Sequence, residues 1–371
     1  MSRHPLRSAA AACFALLLAV LGGIPSAAAA SPPTAPELPS PTGKQLIGTK
    51  SLHLVDTTRT DPWKPEAGHR QLMASLWYPA LRPSARPAPY ASAALSTAIF
   101  GTDALAAVRT HATVNAPAAP GARPLVVLSP GFGMSRLTLT TLAEELAGRG
   151  YVVAALDHTY EAPVEFPGGR IEPCLICERP DFGRVVPNRV KDIGFLLDRL
   201  TRPGTGVRVD ATRIAVAGHS IGGASAVELL GTDSRVDAAA NLDGDFFTAP
   251  PARALKRPVL LFGAQRTKDS VPNANWNERR RHFSGWQRWL DVPTGGHMTF
   301  TDVPWIGSRF DLGNRIPADQ RDMAFGTLPG DRATPVVRAY VAAFMDRHLR
   351  GRPSPLLDRP SAAYPEVRFV K

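Results

Sequence analysis

Hydrophobic and polar positions follow two rhythms along this chain. Residues 71–78 alternate, with Leu72, Ala74, Leu76 and Tyr78 on one side, and predict a half-buried strand; residues 50–56 predict another. From residue 124 the rhythm changes. Leu125-Val126-Val127-Leu128-Ser129 is a continuous apolar run, as in a strand buried on both faces. A helix is predicted over 138–149, where Leu139, Leu142 and Leu146 share a face and Gly150 stops it. Strands at 151–156 and 213–217, helices at 188–200 and from the Gly-rich turn to 230, strands at 236–242, 259–262 and 286–292, and a closing helix at 334–349 continue the alternation. This predicts an α/β fold with a mostly parallel central sheet and helices on both faces. The Pro- and Ala-rich stretch 81–122 is read as a surface excursion carrying one helix around 92–110, and no internal repeat is visible.

The first thirty residues follow a different logic. Arg3, His4 and Arg7 precede an apolar run over 9–21, then Gly22, Gly23 and Pro25 and a small-residue stretch ending at Ala30. That is the layout of a secretory signal peptide, and the run is short for a membrane span of ~20 residues. The predicted organisation is a signal peptide at 1–30, a Pro-rich leader at 31–44 and a single catalytic domain at 45–371, exported to the extracellular space. Cys13 leaves with the signal. Cys174 and Cys177 remain, and an exported C-x-x-C with no βαβ start behind it is read as a structural disulfide.

Composition adds limits. Hydrophobic residues make up 44% and charged residues 20%, which excludes a wholly disordered chain. The formal net charge is +11, or +9 once Arg3 and Arg7 are removed. Such a charge raises nucleic acid or an anionic lipid surface as partners. No five-residue Lys/Arg block and no RNA-binding aromatic signature is present, so nucleic acid is not expected and an anionic lipid interface stays open.

The chemistry centres on Gly218-His219-Ser220-Ile221-Gly222, placed where a buried strand turns directly into a helix. Such a turn holds the serine in strained backbone geometry with its hydroxyl above the sheet. A serine hydroxyl needs a base, and in this arrangement the acid and the histidine follow the serine in the chain. Of the later histidines, His282 and His348 sit among arginines and read as solvated. His297 lies in the loop Thr294-Gly295-Gly296-His297-Met298 after a predicted strand and is the candidate base. Asp243, at the carboxyl end of strand 236–242, is the first candidate acid, with Asp269 the runner-up and Asp245 third. The oxyanion of the tetrahedral intermediate needs backbone N–H donors. Ile221, after the serine, and Phe132, between two glycines in Ser129-Pro130-Gly131-Phe132-Gly133, are the candidates, since Pro130 has no N–H. No cofactor and no metal are called for.

These pieces, with Leu76-Trp77-Tyr78-Pro79-Ala80, Asn241-Leu242-Asp243 and Gly296-His297-Met298-Thr299-Phe300, resemble the α/β-hydrolase superfamily, and within it the platelet-activating-factor acetylhydrolase–like serine esterases and lipases. The resemblance spans most of residues 45–350. In that family the acid follows the strand after the nucleophile helix, which favours Asp243, 23 residues beyond Ser220. It implies calcium-independent hydrolysis of esters with short or modified acyl chains, acetylated phospholipids among them. The chain departs from the family at Pro130, where His is frequent, at Ile221, where Phe is usual, and at Gly244-Asp245, where an apolar or aromatic residue is common. The resulting expectation is a secreted serine ester hydrolase acting on small-molecule or lipid esters. Its rivals are a polyester or cutin hydrolase, an acyltransferase on the same triad, and a catalytically dead binding protein of the same fold.

Overall fold

A computed structural model describes residues 35–264, 275–310 and 316–371. The signal segment and Asp269 lie outside the described residues. In chain order the elements are β1 (Ile47–Thr60), β2 (His69–Pro79), β3 (Pro87–Pro89), α1 (Ala93–Phe100), β4 (Arg109–Val114), β5 (Arg123–Ser129), α2 (Thr140–Gly148), β6 (Val152–Asp157), β7 (Val164–Phe166), β8 (Arg170–Glu172), α3 (Phe182–Leu200), β9 (Val209–His219), α4 (Ile221–Thr232), β10 (Ala238–Leu242), β11 (Val259–Ala264), α5 (Trp276–Arg280), β12 (Gln287–Val292), α6 (Val303–Phe310), α7 (Ala318–Phe325), α8 (Gly330–Arg350) and β13 (Arg368–Val370). Among the described residues, eleven strands form one sheet in the order β13-β12-β11-β10-β9-β5-β6-β2-β1-β4-β3, and β7 and β8 form a separate hairpin.

The six strands from β6 to β12 pair parallel, as the unbroken apolar runs predict. The pleat explains those runs. In β5, Val126 and Leu128 face the layer formed by α2 and α8, whereas Leu125 and Val127 face the layer formed by α3 and α4. Both faces are dry, so every position must be apolar. The antiparallel pairings, β1 with β2, β2 with β6, β3 with β4 and β12 with β13, lie toward the ends of the sheet.

β5 sits between β6 and β9, so the chain leaves β5 toward opposite sides on its two excursions. Open α/β sheets gather their reactive loops at the carboxyl ends of strands at such a reversal. The loop after β5 and the turn after β9 meet there.

Three expectations change. The predicted helix over 92–110 is only α1, capped by Ser92, whose side chain accepts from the Leu95 N–H, and ended by Gly101 at φ 67°. Beyond Gly101 the chain makes a 3-10 turn at Ala104–Ala107 and then enters β4, which lies between β1 and β3 and pairs parallel to β1, because Thr110, Thr113 and Val114 suit an extended strand better than a helix. α3 starts at Phe182, six residues earlier than predicted, because Val185 and Val186 add to its buried face. The leader is fixed to the domain from residue 35. Leu38 is buried among Tyr90, Leu95 and Trp305. The Arg338 guanidinium donates to the carbonyls of Pro39 and Ser40.

Candidate active site

The residues predicted from the motifs converge on the switch point. Ser220 is the one residue between β9 and α4. It adopts φ 56°, ψ −130°, a conformation that side chains other than glycine rarely take. Its N–H donates to the Leu242 carbonyl at 2.8 Å, which ties the serine turn to the end of β10. The next residue, Asp243, is also in left-handed geometry, at φ 59°.

Asp243 is fully buried, and its two oxygens are both engaged. Oδ2 lies 2.6 Å from His297 Nδ1, and Oδ1 accepts the Ala264 N–H at 3.0 Å. A carboxylate facing Nδ1 fixes the proton there and leaves Nε2 as the basic nitrogen. His297 opens a one-turn 3-10 helix, and its backbone carbonyl accepts from His219 Nε2 at 2.8 Å. The rings of His219 and His297 lie 4.5 Å apart, which sets His297 beside the residue preceding Ser220. Asp243, the first candidate acid, thus bonds to His297, while Asp269 lies outside the described residues.

Two glycines explain how these turns come so close. A Cβ on Gly222 would stand 2.1 Å from the Ser129 carbonyl oxygen, and one on Gly244 would stand 1.9 Å from that of Ser220. Any side chain there would drive the loops apart. The Asn241 side chain adds a brace, donating to the Gly244 carbonyl and accepting its N–H, each at 2.8 Å. Trp276 Nε1 donates to the same carbonyl at 2.6 Å.

The loop after β5 brings Gly131 against the His219 ring. Phe132 follows, with its ring buried edge-on against Phe182 at 5.3 Å, and Phe182 packs on Phe247 at 4.7 Å. Ile221 opens α4 and is buried. Cys174 and Cys177 form a disulfide. Their loop packs on the same side of the sheet, since Ile176 and Cys177, like Phe182 and Phe247, lie against the core layer of α3 and α4.

Two other titratable residues have environments that the sequence did not show. Asp291, on β12, is buried; burial, reinforced by the Asp243 charge, raises its pKa to about 6. His348, expected to be solvated, is instead packed between Trp286 and Phe344, at 4.5 and 4.8 Å, and burial lowers its pKa to about 4.

The largest omission is a buried polar chain under the β5 loop. Ser129 Oγ lies 3.0 Å from His158 Nε2, and His158 Nδ1 lies 2.9 Å from Asp192 Oδ2. Arg70 donates to both oxygens of Asp192 and to Asp61. Arg189 donates to Glu161 at 2.7 Å. Burial, with Arg189 next in weight, lowers the His158 pKa to about 3, so its ring is neutral. Against the burial that would raise it, Arg70 and His158 hold Asp192 far below the usual carboxylate range. One signal was legible: Val185, Arg189, Asp192, Ile193 and Leu196 fall on one helical face, so two charges stand in an apolar stripe.

Comparison with known proteins finds esterases. The family model described as platelet-activating factor acetylhydrolase, isoform II, matches residues 72–164. A solved structure titled as a ferulic acid esterase from Streptomyces cinnamoneus is 63% identical, with a TM-score of 0.88, and the match covers 91% of this chain and 100% of that one. The chain belongs to the α/β-hydrolase esterases. The esterase is also 28% identical to a probable 1-alkyl-2-acetylglycerophosphocholine esterase of Arthroderma benhamiae, over 94% of this chain and 97% of that one. Cutinase est2 of Thermobifida alba is 26% identical over 49% of the esterase and 53% of its own length. The esterase is therefore a carboxylic ester hydrolase. Among the described residues no helix is long and apolar enough to cross a membrane, and no cluster of three or more metal-ligating side chains occurs.

Proposed function

We propose that this chain is a secreted serine hydrolase in which Ser220, His297 and Asp243 form the catalytic triad. The observation that carries the reading is the 2.6 Å contact of Asp243 with His297 Nδ1, beside a serine held in left-handed geometry. His297 Nε2 takes the Ser220 proton as Oγ attacks the ester carbonyl carbon. The Phe132 and Ile221 amides bind the resulting oxyanion. The intermediate collapses, the C–O bond to the alcohol breaks, and the alcohol leaves with the proton from His297. Water, deprotonated by the same ring, attacks the acyl-serine, and the acid departs. Asp243 holds the tautomer and stabilises the imidazolium. Residues 1–30 act as the export signal, and 45–371 form the catalytic domain.

The substrate class we favour is an ester of an aromatic acid such as a hydroxycinnamate. The similarity to a ferulic acid esterase extends over that whole chain, and the Phe132–Phe182–Phe247 cluster offers an aromatic wall at the β5 loop. A second reading, acetylated glycerophospholipids at an anionic lipid surface, is supported by the nearly full-length similarity to the alkylacetylglycerophosphocholine esterase and by the net positive charge. The test is hydrolysis of methyl ferulate, p-nitrophenyl acetate, an acetylated phospholipid and a polyester film by the wild type and Ser220→Ala. Preference for methyl ferulate supports the first reading. Preference for the phospholipid, with activity on anionic vesicles falling steeply with salt, supports the second. Full activity of Ser220→Ala, or its labelling by a fluorophosphonate, overturns the triad.

A further inference from the structure

The loop that carries Phe132 is gripped from below by one buried cation. The Arg189 guanidinium is almost fully buried in α3. Its Nη1 donates to the Pro130 carbonyl at 2.5 Å and reaches Ser129 Oγ at 3.4 Å, and its Nη2 reaches the Gly131 carbonyl at 3.4 Å. Nε donates to Glu161 Oε2. Glu161 holds the other end of the loop as well, because its backbone carbonyl accepts the Gly133 N–H at 2.9 Å. One Arg–Glu pair thus fixes residues 129–133 on both sides of Phe132.

The peptide bond converts this grip into aim. In a trans peptide the carbonyl and the following N–H point in opposite directions across one plane. The Gly131 carbonyl is turned toward Arg189, so the Phe132 N–H is turned away from α3. The planar guanidinium spreads its donors over a rigid fork that spans two successive carbonyls and a carboxylate, a reach that the compact lysine ammonium does not reproduce.

We propose that Arg189, backed by Glu161, is a positioning residue for the oxyanion site: it orients the Gly131–Phe132 peptide so that its N–H meets the developing negative charge. The proposal rests on the triad reading above. Arg189 touches no substrate and acts through the backbone it holds.

The test uses the full chain carrying Arg189→Lys, with p-nitrophenyl acetate as substrate and an arylboronate, which adds to the serine to place a charged oxygen in the oxyanion site. The variant is expected to keep the wild-type circular dichroism spectrum and to lose kcat by about 10- to 100-fold, as for a displaced or missing oxyanion donor. KM should change by less than about threefold, and arylboronate affinity should fall in step with kcat. A kcat within twofold of the wild type overturns the proposal, and so does a loss of kcat with unchanged arylboronate affinity. If Arg189→Lys does not fold, the double variant Arg189→Met/Glu161→Met, which removes both buried charges, replaces it: the same loss of kcat supports the proposal and wild-type kcat overturns it. Ser220→Ala separates the two readings. If it stays active, the triad itself fails; if it is dead while the Arg189 variants are fully active, only the positioning role fails.

Discussion

Ser220, His297 and Asp243 stand at the carboxyl ends of the central strands, and a few residues away Ser129, His158 and Asp192 run beneath the β5 loop. The deeper set is a continuous hydrogen-bonded Ser–His–Asp chain, with links of 3.0 and 2.9 Å. By connectivity alone it would qualify as a triad. Its surroundings disqualify it. Ser129 is an ordinary strand residue, all three groups are almost entirely shielded from solvent, and the arginines around them favour a neutral ring. At the outer set the backbone is strained at both Ser220 and Asp243, and Ser220 is half-exposed. The same three side chains serve as scaffold in one place and as proposed machinery in the other. Access, backbone geometry and nearby charge separate the roles.

The sharpest way to break this comparison is to exchange serine for alanine in each set. Ser220→Ala should lower kcat by about 10⁴- to 10⁶-fold with little change in melting temperature. Ser129→Ala should cost at most about tenfold in kcat while lowering stability by about 1–3 kcal/mol, the penalty of an unmade buried hydrogen bond. Steady-state kinetics and urea unfolding read both; equal losses of kcat would erase the distinction.

The acids should part in the same way. Asp243→Asn should leave a folded protein with kcat reduced about 10⁴-fold, because the His297 tautomer is no longer held. Asp192→Asn strips the buried Arg70 of its main partner and should destabilise the fold by about 3–5 kcal/mol.

A pH series sharpens the contrast further. His158 has a folded pKa of about 3, below its unfolded value, so the unfolded chain binds the extra proton between about pH 6.5 and 3. Stability from this group is complete above pH 6.5 and is lost as pH falls toward 3. Glu144 and Asp302 act in the opposite sense, because burial raises them to about 8 and 7, and their neutral forms favour the fold as pH drops. The His158→Asn variant isolates the first effect: its stability should fall less steeply than that of the wild type from pH 6.5 to 4. Parallel curves would show that His158 is not held neutral.

The smallest effect belongs to the disulfide. A loop this short removes little entropy from the unfolded chain, so Cys174→Ser/Cys177→Ser should cost about 2 kcal/mol or less. A larger loss in thermal unfolding would mean that the bridge also secures the floor beside Phe182.

The two sets also differ in how readily the sequence announces them. Gly218–Gly222 could be read because a buried strand enters the motif and an apolar helix leaves it, so local rhythm and chemistry agree. Asp243 could be placed first from its position at a strand end, and the resemblance strengthened that choice over Asp269, since spacing alone does not say which carboxylate meets His297. The deeper set offered one local signal, the two charges in the apolar stripe of α3. Ser129, His158 and Asp192 come from three separate parts of the chain, and no local pattern says that they meet. Only long-range packing puts Arg70, 122 residues away, against Asp192. Strand β4 escaped for a related reason: its partner β1 lies some sixty residues earlier, beyond any local rule.

The backbone contacts at Gly222 and Gly244 also bear on how such an enzyme can change. With the Ser220 turn, the Asp243 turn and the β5 loop meeting main chain to main chain, the proposed machinery behaves as a single casting, and almost any mutation at those joints breaks it. Phe182 and Phe247 are under no such constraint. A lineage exploring new esters, or a laboratory library built for the same purpose, has its freedom in the walls of the site while the reactive floor stays unaltered.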